Sequence, residues 1–236
     1  MGAKLTFNRL EKKFLLTEEQ FLRIKEEIDK RFDPDEYGET TICNLYYDTP
    51  DYILFTRSAE KPIYKEKLRL RTYGVPNDSS IGFIEVKKKF NGVVYKRRIT
   101  MPLPDAVRFL RDEIDVDEPN QISKELKYLL QFYKNIAPRI YVSYDRSAFF
   151  CKEDRDFRIT FDRNLTWRDY DLDLTKGSYG TLLTEPTQVL MEVKVPGAIP
   201  LWLVRLLGEL KVYTRSFSKV GNAFIQMINN NRSYIR

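Results

Sequence analysis

YKEKLRLRTYG, residues 64–74, is dense in cations at a regular spacing. Lys65, Lys67, Arg69 and Arg71 stand at every second position, with Leu68 and Leu70 between the last three. A β-strand sends successive side chains to opposite faces, so this spacing predicts four cations along one face and apolar groups on the other. Like charges so placed repel one another. The stretch therefore predicts an anionic partner lying along the strand.

The same alternation recurs outward in both directions. FNRLEKKFLL sets Arg9, Glu11 and Lys13 against Leu10, Phe14 and Leu16. FIEVKKKF places Glu85, Lys87 and Lys89 on one face, and VVYKRRITM places Lys96 and Arg98 together. FRITFD separates Arg158 and Asp162 from Phe157, Ile159 and Phe161, and VLMEVKV separates Glu192 and Lys194 from Met191, Val193 and Val195. In RIYVSYDRSAFF, Arg139 and Arg146 have opposite parity, so its register stays open unless a bulge intervenes. An antiparallel sheet with one wet face also alternates, but here Ser, Gln and Asn are scarce on the polar face and long cations dominate.

Both faces are satisfied if the strands close on themselves. The expected fold class is α+β: a closed antiparallel eight-stranded β-barrel whose apolar set faces outward under amphipathic helices and whose charged set lines a lumen. Cations converging on such a lumen are costly to desolvate without counter-charge, which an oligophosphate supplies.

The helices have their own signals. Thr17 and Gln20 make a capping box ahead of Phe21, Ile24, Ile28 and Phe32, so residues 17–32 read as a helix. Further helices are expected over 103–113 and 121–134, after Pro200, and from about Asn222; Asn91-Gly92 signals a hairpin and residues 163–186 read as a loop. Asp48-Thr49-Pro50 ends a strand running through Tyr47.

Composition bounds the chemistry. The chain has 236 residues, Lys+Arg 40 against Asp+Glu 34, and a net charge of +6 without a basic arm, which suits a polyanion site on a single domain spanning 1–236. No signal peptide or apolar span is visible, so a cytoplasmic protein without membrane insertion is expected, with Cys43 and Cys151 as buried, unbridged thiols. There is no histidine, which removes serine-histidine triads and histidine-ligated zinc, and neither a P-loop nor a G-x-S-x-G elbow is present.

Arg9-x-Glu11-x-Lys13, NLYYDTPD, KLRLRTYG, EVK at Glu85 to Lys87, YDRSAF, FRITFD, MEVK and FSKVG follow one another over nearly the whole chain. In order and spacing they resemble the VTC-type polyphosphate polymerase domain, a branch of the CYTH-like triphosphate tunnel metalloenzymes. The resemblance implies that Lys13, Arg69, Arg71, Lys87, Lys96, Arg146, Arg158 and Lys219 grip phosphates and that Glu192 holds a divalent metal. Alternation adds Arg9, Lys65, Lys67, Arg98 and Lys194 to the phosphate-binding set. Oxygen-only ligation by Glu192 with Glu11 suits Mn²⁺ or Mg²⁺.

One departure stands out. The wider superfamily begins Glu-x-Glu-x-Lys, whereas the first carboxylate position here is Arg9. A lost carboxylate weakens a two-metal hydrolase reading and leans toward the polymerase branch. The implied activity transfers the γ-phosphate of ATP to a growing inorganic polyphosphate chain, with ATP and polyphosphate as partners and no nucleic acid. The eukaryotic relatives' membrane segments are missing, so a separately encoded membrane subunit is compatible with the family type. Two alternatives stay open: a metal-dependent tripolyphosphatase or nucleoside triphosphatase on the same tunnel, and a non-catalytic polyphosphate-binding module.

Overall fold

A computed structural model of the protein describes residues 9–233 apart from Lys61, Gly92 and Asp117, and excepting the side chains of Arg9 and of residues 231–233. In chain order the elements are β1 (Arg9–Leu16), α1 (Glu18–Arg31), β2 (Phe32–Asp48), α2 (Ile53–Glu60), β3 (Tyr64–Tyr73), β4 (Ile81–Phe90), β5 (Val93–Pro102), α3 (Leu103–Leu110) and α4 (Gln121–Phe132). They continue with β6 (Ala137–Cys151), β7 (Arg158–Arg168), a 3-10 turn (Leu174–Lys176), β8 (Thr181–Leu182), β9 (Val189–Pro196), α5 (Leu201–Glu209) and α6 (Lys219–Ser233).

The fold is α+β, with six helices and one large antiparallel sheet of nine strands among the described residues. Its hydrogen-bonded order is β1-β9-β7-β6-β2-β3-β4-β5, with β8 on β7. Among the described residues β1 and β5 are not joined by hydrogen bonds, so the ladder bears out the large antiparallel sheet expected from the sequence and does not itself close it into an eight-stranded barrel. Alternation fixes which face a side chain takes. It carries no information about whether the two end strands meet.

The described residues fall into two compact units. One comprises 9–40, 144–165 and 184–217. Its core packs Phe14 and Leu16 of β1, Ile159 and Phe161 of β7 and Met191, Val193 and Val195 of β9 against Ile24 and Ile28 of α1 and Leu203, Leu206 and Leu207 of α5. The alternation thus buries one face of each strand, and each fully buried Ile, Leu or Phe contributes about 1.5–3 kcal/mol. The capping box forms as expected, with Gln20 N donating to Thr17 Oγ1 (3.2 Å) and Thr17 N to Gln20 Oε1 (3.0 Å).

The second unit comprises 41–143, 166–183 and 218–233. Leu68, Leu70, Ile84 and Val86 are buried on one face of β3 and β4, as are Leu103, Ala106 and Phe109 of α3. Gly82 permits the close approach of α3, since a Cβ there would lie 2.9 Å from Ala106 Cβ. The hairpin at 91–92 forms as read, with Asn91 at φ 44°; Gly92 itself lies outside the described residues.

One helix was not anticipated from the sequence, and two local expectations need correction. Residues 53–60 form a helix, α2, that has no obvious cap by its own first residue; the cap is Asp48, whose carboxylate accepts from Thr49 N, Leu54 N and Phe55 N at 2.7–2.9 Å. The region 163–186 is not a plain loop, because β7 runs on to Arg168 and a 3-10 turn and β8 follow. The last helix begins at Lys219, earlier than expected, with Ser218 Oγ accepting from Gly221 N. Neither Cys43, which is buried, nor Cys151, which is half-buried, forms a disulfide.

Candidate active site

The charged faces gather into two clusters, one in each unit, and each has a buried glutamate at its centre. In the second unit the centre is Glu85, 2% exposed. Register explains the gathering: Arg69 pairs with Glu85 across β3 and β4, and Glu85 with Arg98 across β4 and β5, and directly opposed residues share a face. Arg69 Nε donates to Glu85 Oε2 at 2.7 Å, Arg98 Nε to Oε1 at 2.7 Å, and Lys96 Nζ lies 2.7 Å from Oε1. Arg71 stands 3.9 Å from the same carboxylate and is fixed by Asn44, whose Oδ1 accepts from Arg71 Nε at 2.9 Å. Tyr46 Oη accepts from Arg69 at 3.0 Å, and Arg98 reaches Tyr73 Oη at 3.3 Å.

Four cations thus share one carboxylate. Burial alone pushes the Glu85 carboxyl up, but Arg69, Arg71 and Lys96 overcome it and hold the group well below the ordinary carboxylate range. Burial and the neighbouring cations pull the Lys96 ammonium down against the attraction of Glu85. On the same face lies a row of lysines in register, Lys67 opposite Lys87 and Lys87 opposite Lys96, with Lys65 opposite Lys89. Lys65 donates to Ser58 O at 3.2 Å and Lys67 to Ser218 Oγ at 2.9 Å, while Lys87 is exposed. Lys219, in the first turn of α6, is 8% exposed.

The cluster of the first unit is nearly balanced in charge. Glu192, 6% exposed, lies 3.4 Å from Lys13, 3.7 Å from Lys194 and 3.8 Å from Arg146. Glu11 shares the two lysines, at 3.8 Å from Lys13 and 3.9 Å from Lys194. Arg146 is chelated by Asp162, its Nε donating at 2.6 Å and its Nη2 at 2.8 Å; burial opposes its charge, but Asp162 holds the guanidinium protonated well above the usual arginine value. Burial pulls the Lys194 ammonium down against Glu192 and Glu11. Lys13 also donates to Phe217 O at 3.0 Å, which ties β1 to the segment before α6. Arg158, register partner of Lys194, lies 3.7 Å from Asp35 and stacks over Phe150. The side chain of Arg9 lies outside the described residues.

Arg139 and Arg146, the pair with opposed parity, turn out to serve different neighbours: Arg139 donates to Asp48 O at 3.4 Å. Sequence reading missed two roles. Glu85 was legible as a member of a charged face, but only the register shows it as the acceptor around which four cations close, and Asp162 was legible in the same way, but only the structure shows it chelating Arg146. Tyr46 and Asn44 were missed because they read as ordinary strand residues.

Metal-binding capacity follows from the oxygen donors. Among the described residues no group of three or more carboxylate or thiol side chains converges as a cage. Glu192 and Glu11 are instead linked through lysines, and the hydroxyl of Thr160, register partner of Glu192, is buried without a hydrogen bond. Two carboxylates and an orphaned hydroxyl fit a small hard cation that takes its remaining ligands from water and phosphate, as Mg²⁺ commonly does.

No curated protein sequence matches the chain. Among solved structures, a Bacillus halodurans protein named "putative adenylate cyclase" is similar with a TM-score of 0.56 at 14% identity, over 89% of this chain and 93% of its own, and shares the fold. A Vibrio parahaemolyticus protein of the same name gives a TM-score of 0.49 at 16% identity, over 92% of this chain and 98% of its own. The profile of the VTC domain matches residues 8–228, nearly the whole chain, and the protein belongs to the VTC domain family.

Proposed function

We propose that the protein is a polyphosphate polymerase: an oxygen of the terminal phosphate of a growing chain attacks the γ-phosphorus of ATP, a new P–O–P bond forms, and ADP leaves. The observation that carries this reading is the set of Arg69, Arg71, Lys96 and Arg98 around the single carboxylate of Glu85. Phosphoryl transfer needs positioning and charge neutralisation more than acid-base chemistry, which a chain without histidine can supply. Arg69 and Arg71 stand two residues apart on one face, about 6–7 Å at ~3.3 Å per residue, a span that suits neighbouring phosphates of one chain. The lysine row of Lys67, Lys87 and Lys96 extends the same face and holds the polymer as point charges.

Glu192 and Glu11 are the residues that would hold Mn²⁺ or Mg²⁺, which when bound neutralises charge on the transferring phosphoryl group. Lys13, Lys194 and Arg146 orient those carboxylates meanwhile, and Arg158 adds a cation to their face. Closure of the sheet into a tunnel, with the whole chain acting as one domain, belongs to the same proposal, as does residence where cytosolic ATP is available. Among the described residues no helix is long and apolar enough to cross a membrane; a separately encoded membrane subunit that carries the product onward belongs to the same proposal. RNA is not the polyanion proposed: Tyr64, the first residue of β3, has the opposite parity to that strand's cations, and its hydroxyl donates to Glu66 at 2.9 Å.

The test is incubation of the purified protein with ATP and Mn²⁺, followed by a gel stained for polyphosphate. Polymer with ADP is the expected result. Free phosphate without polymer selects the hydrolase reading, and chain binding without turnover selects the binding module.

A further inference from the structure

A cavity of about 530 Å³ lies in the second unit, between α3, the start of β6 and the stretch 172–175. It occupies the sheet face opposite the cation cluster. Leu45 and Tyr47 of β2 pair with Leu70 and Leu68 of β3, whereas the alternate residues Asn44 and Tyr46 pair with Arg71 and Arg69, so the two sets point to opposite faces. Its walls are chiefly apolar, formed by Leu45, Leu70, Leu103, Val107, Leu110 and Leu174.

Two features mark it as a built site rather than a packing gap. The first is Tyr47. This residue lines the cavity and is 3% exposed, yet its hydroxyl makes no hydrogen bond to a described residue and its oxygen is not among the sealed polar atoms of the interior. A buried phenol usually has a partner, because leaving it without one costs about 1–3 kcal/mol. The second is the stiffness of the wall. Arg168, 1% exposed, donates to four backbone carbonyls, those of Asp171 (3.2 Å), Asp173 (3.1 Å), Gly177 (3.0 Å) and Tyr179 (2.8 Å), and lies between the rings of Tyr141 and Tyr179. The 172–175 wall is therefore held in place without a ligand. Such preorganisation lowers the cost of binding.

The charged groups at the cavity narrow the ligand. Asp173 is occupied by Thr175 N and Oγ1, both at 2.8 Å, Asp78 is exposed, and Arg108 faces Asp105 at 3.6 Å. Arg111, whose carboxylate neighbour Glu113 is 4.0 Å away, is the cation whose field reaches the Tyr47 hydroxyl. We propose that this cavity binds a small amphipathic carboxylate, its apolar body against the leucine wall and its anionic end accepting from Tyr47 Oη beside Arg111. The volume lies within the 300–1,000 Å³ typical of small-molecule sites. Because β2 and β3 present Leu45, Tyr47 and Leu70 on this face and Tyr46, Arg69 and Arg71 on the other, an occupant here sits one sheet thickness from the phosphate-binding cluster.

The probes are 8-anilinonaphthalene-1-sulfonate and decanoate, used on the full chain. The expected result is saturable one-to-one enhancement of the dye's fluorescence, displaced by decanoate but not by decanol or tripolyphosphate. Tyr47→Phe and Arg111→Gln should each weaken decanoate binding about tenfold, the scale of one hydrogen bond to a charged group. Val107→Trp, which fills the cavity, should abolish it. Val107→Trp also changes the packing of α3, so the exposed Arg111→Gln, checked by an unchanged melting temperature, keeps the test independent. Absence of saturable binding, equal displacement by decanol, or parental affinity in Arg111→Gln and Tyr47→Phe overturns the proposal.

Discussion

Replacing Glu85 by Gln should convert the second unit's cluster from a site partly neutralised by its own carboxylate into one that depends wholly on an added anion. The substitution keeps shape and removes the carboxylate that Arg69, Lys96, Arg98 and Arg71 share, at 2.7, 2.7, 2.7 and 3.9 Å. Removing one partner from a buried ion cluster costs about 3–5 kcal/mol, because the remaining charges lose their compensation. Arg69, Lys96 and Arg98 keep side-chain exposures of 22%, 46% and 34%, so solvent screens part of the repulsion and the lower end, about 3 kcal/mol, applies. For a chain of this size that is a drop of roughly 6–12 °C in melting temperature. Tripolyphosphate supplies the missing charge, so it should raise the melting temperature of Glu85→Gln by more than it raises that of the parent, and should bind the variant more tightly. The assay is thermal unfolding with and without tripolyphosphate at one ionic strength. Melting of the unliganded variant at the parental temperature would refute the assignment of Glu85 as the shared counter-charge. Equal stabilisation of both proteins by tripolyphosphate would show that the cluster is structural and does not meet phosphate.

The same carboxylate predicts a pH effect: a group held below its ordinary value of 4.5 stabilises the fold fully above that pH and loses its contribution as pH falls through its lower folded value. The melting temperature of the parent should therefore approach that of Glu85→Gln as pH is lowered from 6 to about 3, and a constant gap would contradict this. Glu192→Gln should abolish metal-dependent turnover of ATP with the circular dichroism spectrum retained; full activity would move the metal to Glu11. Arg71→Lys should lower turnover by more than it weakens long-chain binding, a loss of about 2–4 kcal/mol in the transition state set against retained point charges; parental turnover with weakened chain binding would confine this strand to holding polymer. Asp48→Ala, which strips three backbone N–H groups of their acceptor, should destabilise by about 1–2 kcal/mol in urea titration without changing turnover.

Much of this was legible because alternation and helical spacing are local signals. The faces of β1, β3, β4 and β9 follow from residue parity, and the caps of α1 and the hairpin at Asn91 follow from side-chain chemistry. What was not legible depends on distance along the chain. Asp48 reads as a turn residue, and its part in starting α2 shows only when Leu54 and Phe55 fold back on it. Arg168 reads as one more cation in a loop, yet its four carbonyl partners span residues 171–179 and give that stretch its order. Glu85 sits between apolar neighbours in sequence, and only the registers Arg69↔Glu85 and Glu85↔Arg98 make it a hub. Tyr47 shares its tyrosine identity with Tyr46, and parity alone sends one to the cation face and the other to the cavity.

The lysine row across β3, β4 and β5 has a consequence for how the resting protein moves. Lys67, Lys87 and Lys96 are successive register partners, and like charges directly opposed weaken a ladder. β5 is also the last strand of the hydrogen-bonded order, so its outer edge gains nothing from a further neighbour among the described residues. The resulting strain concentrates opening in the β4–β5 hairpin, whose amides should exchange with solvent deuterium faster than those of β3. Any multivalent anion that neutralises the row closes that breathing mode, whether or not it can react. Substrate would then set the rigidity of its own binding strand, and phosphate-rich buffers would mask the motion altogether.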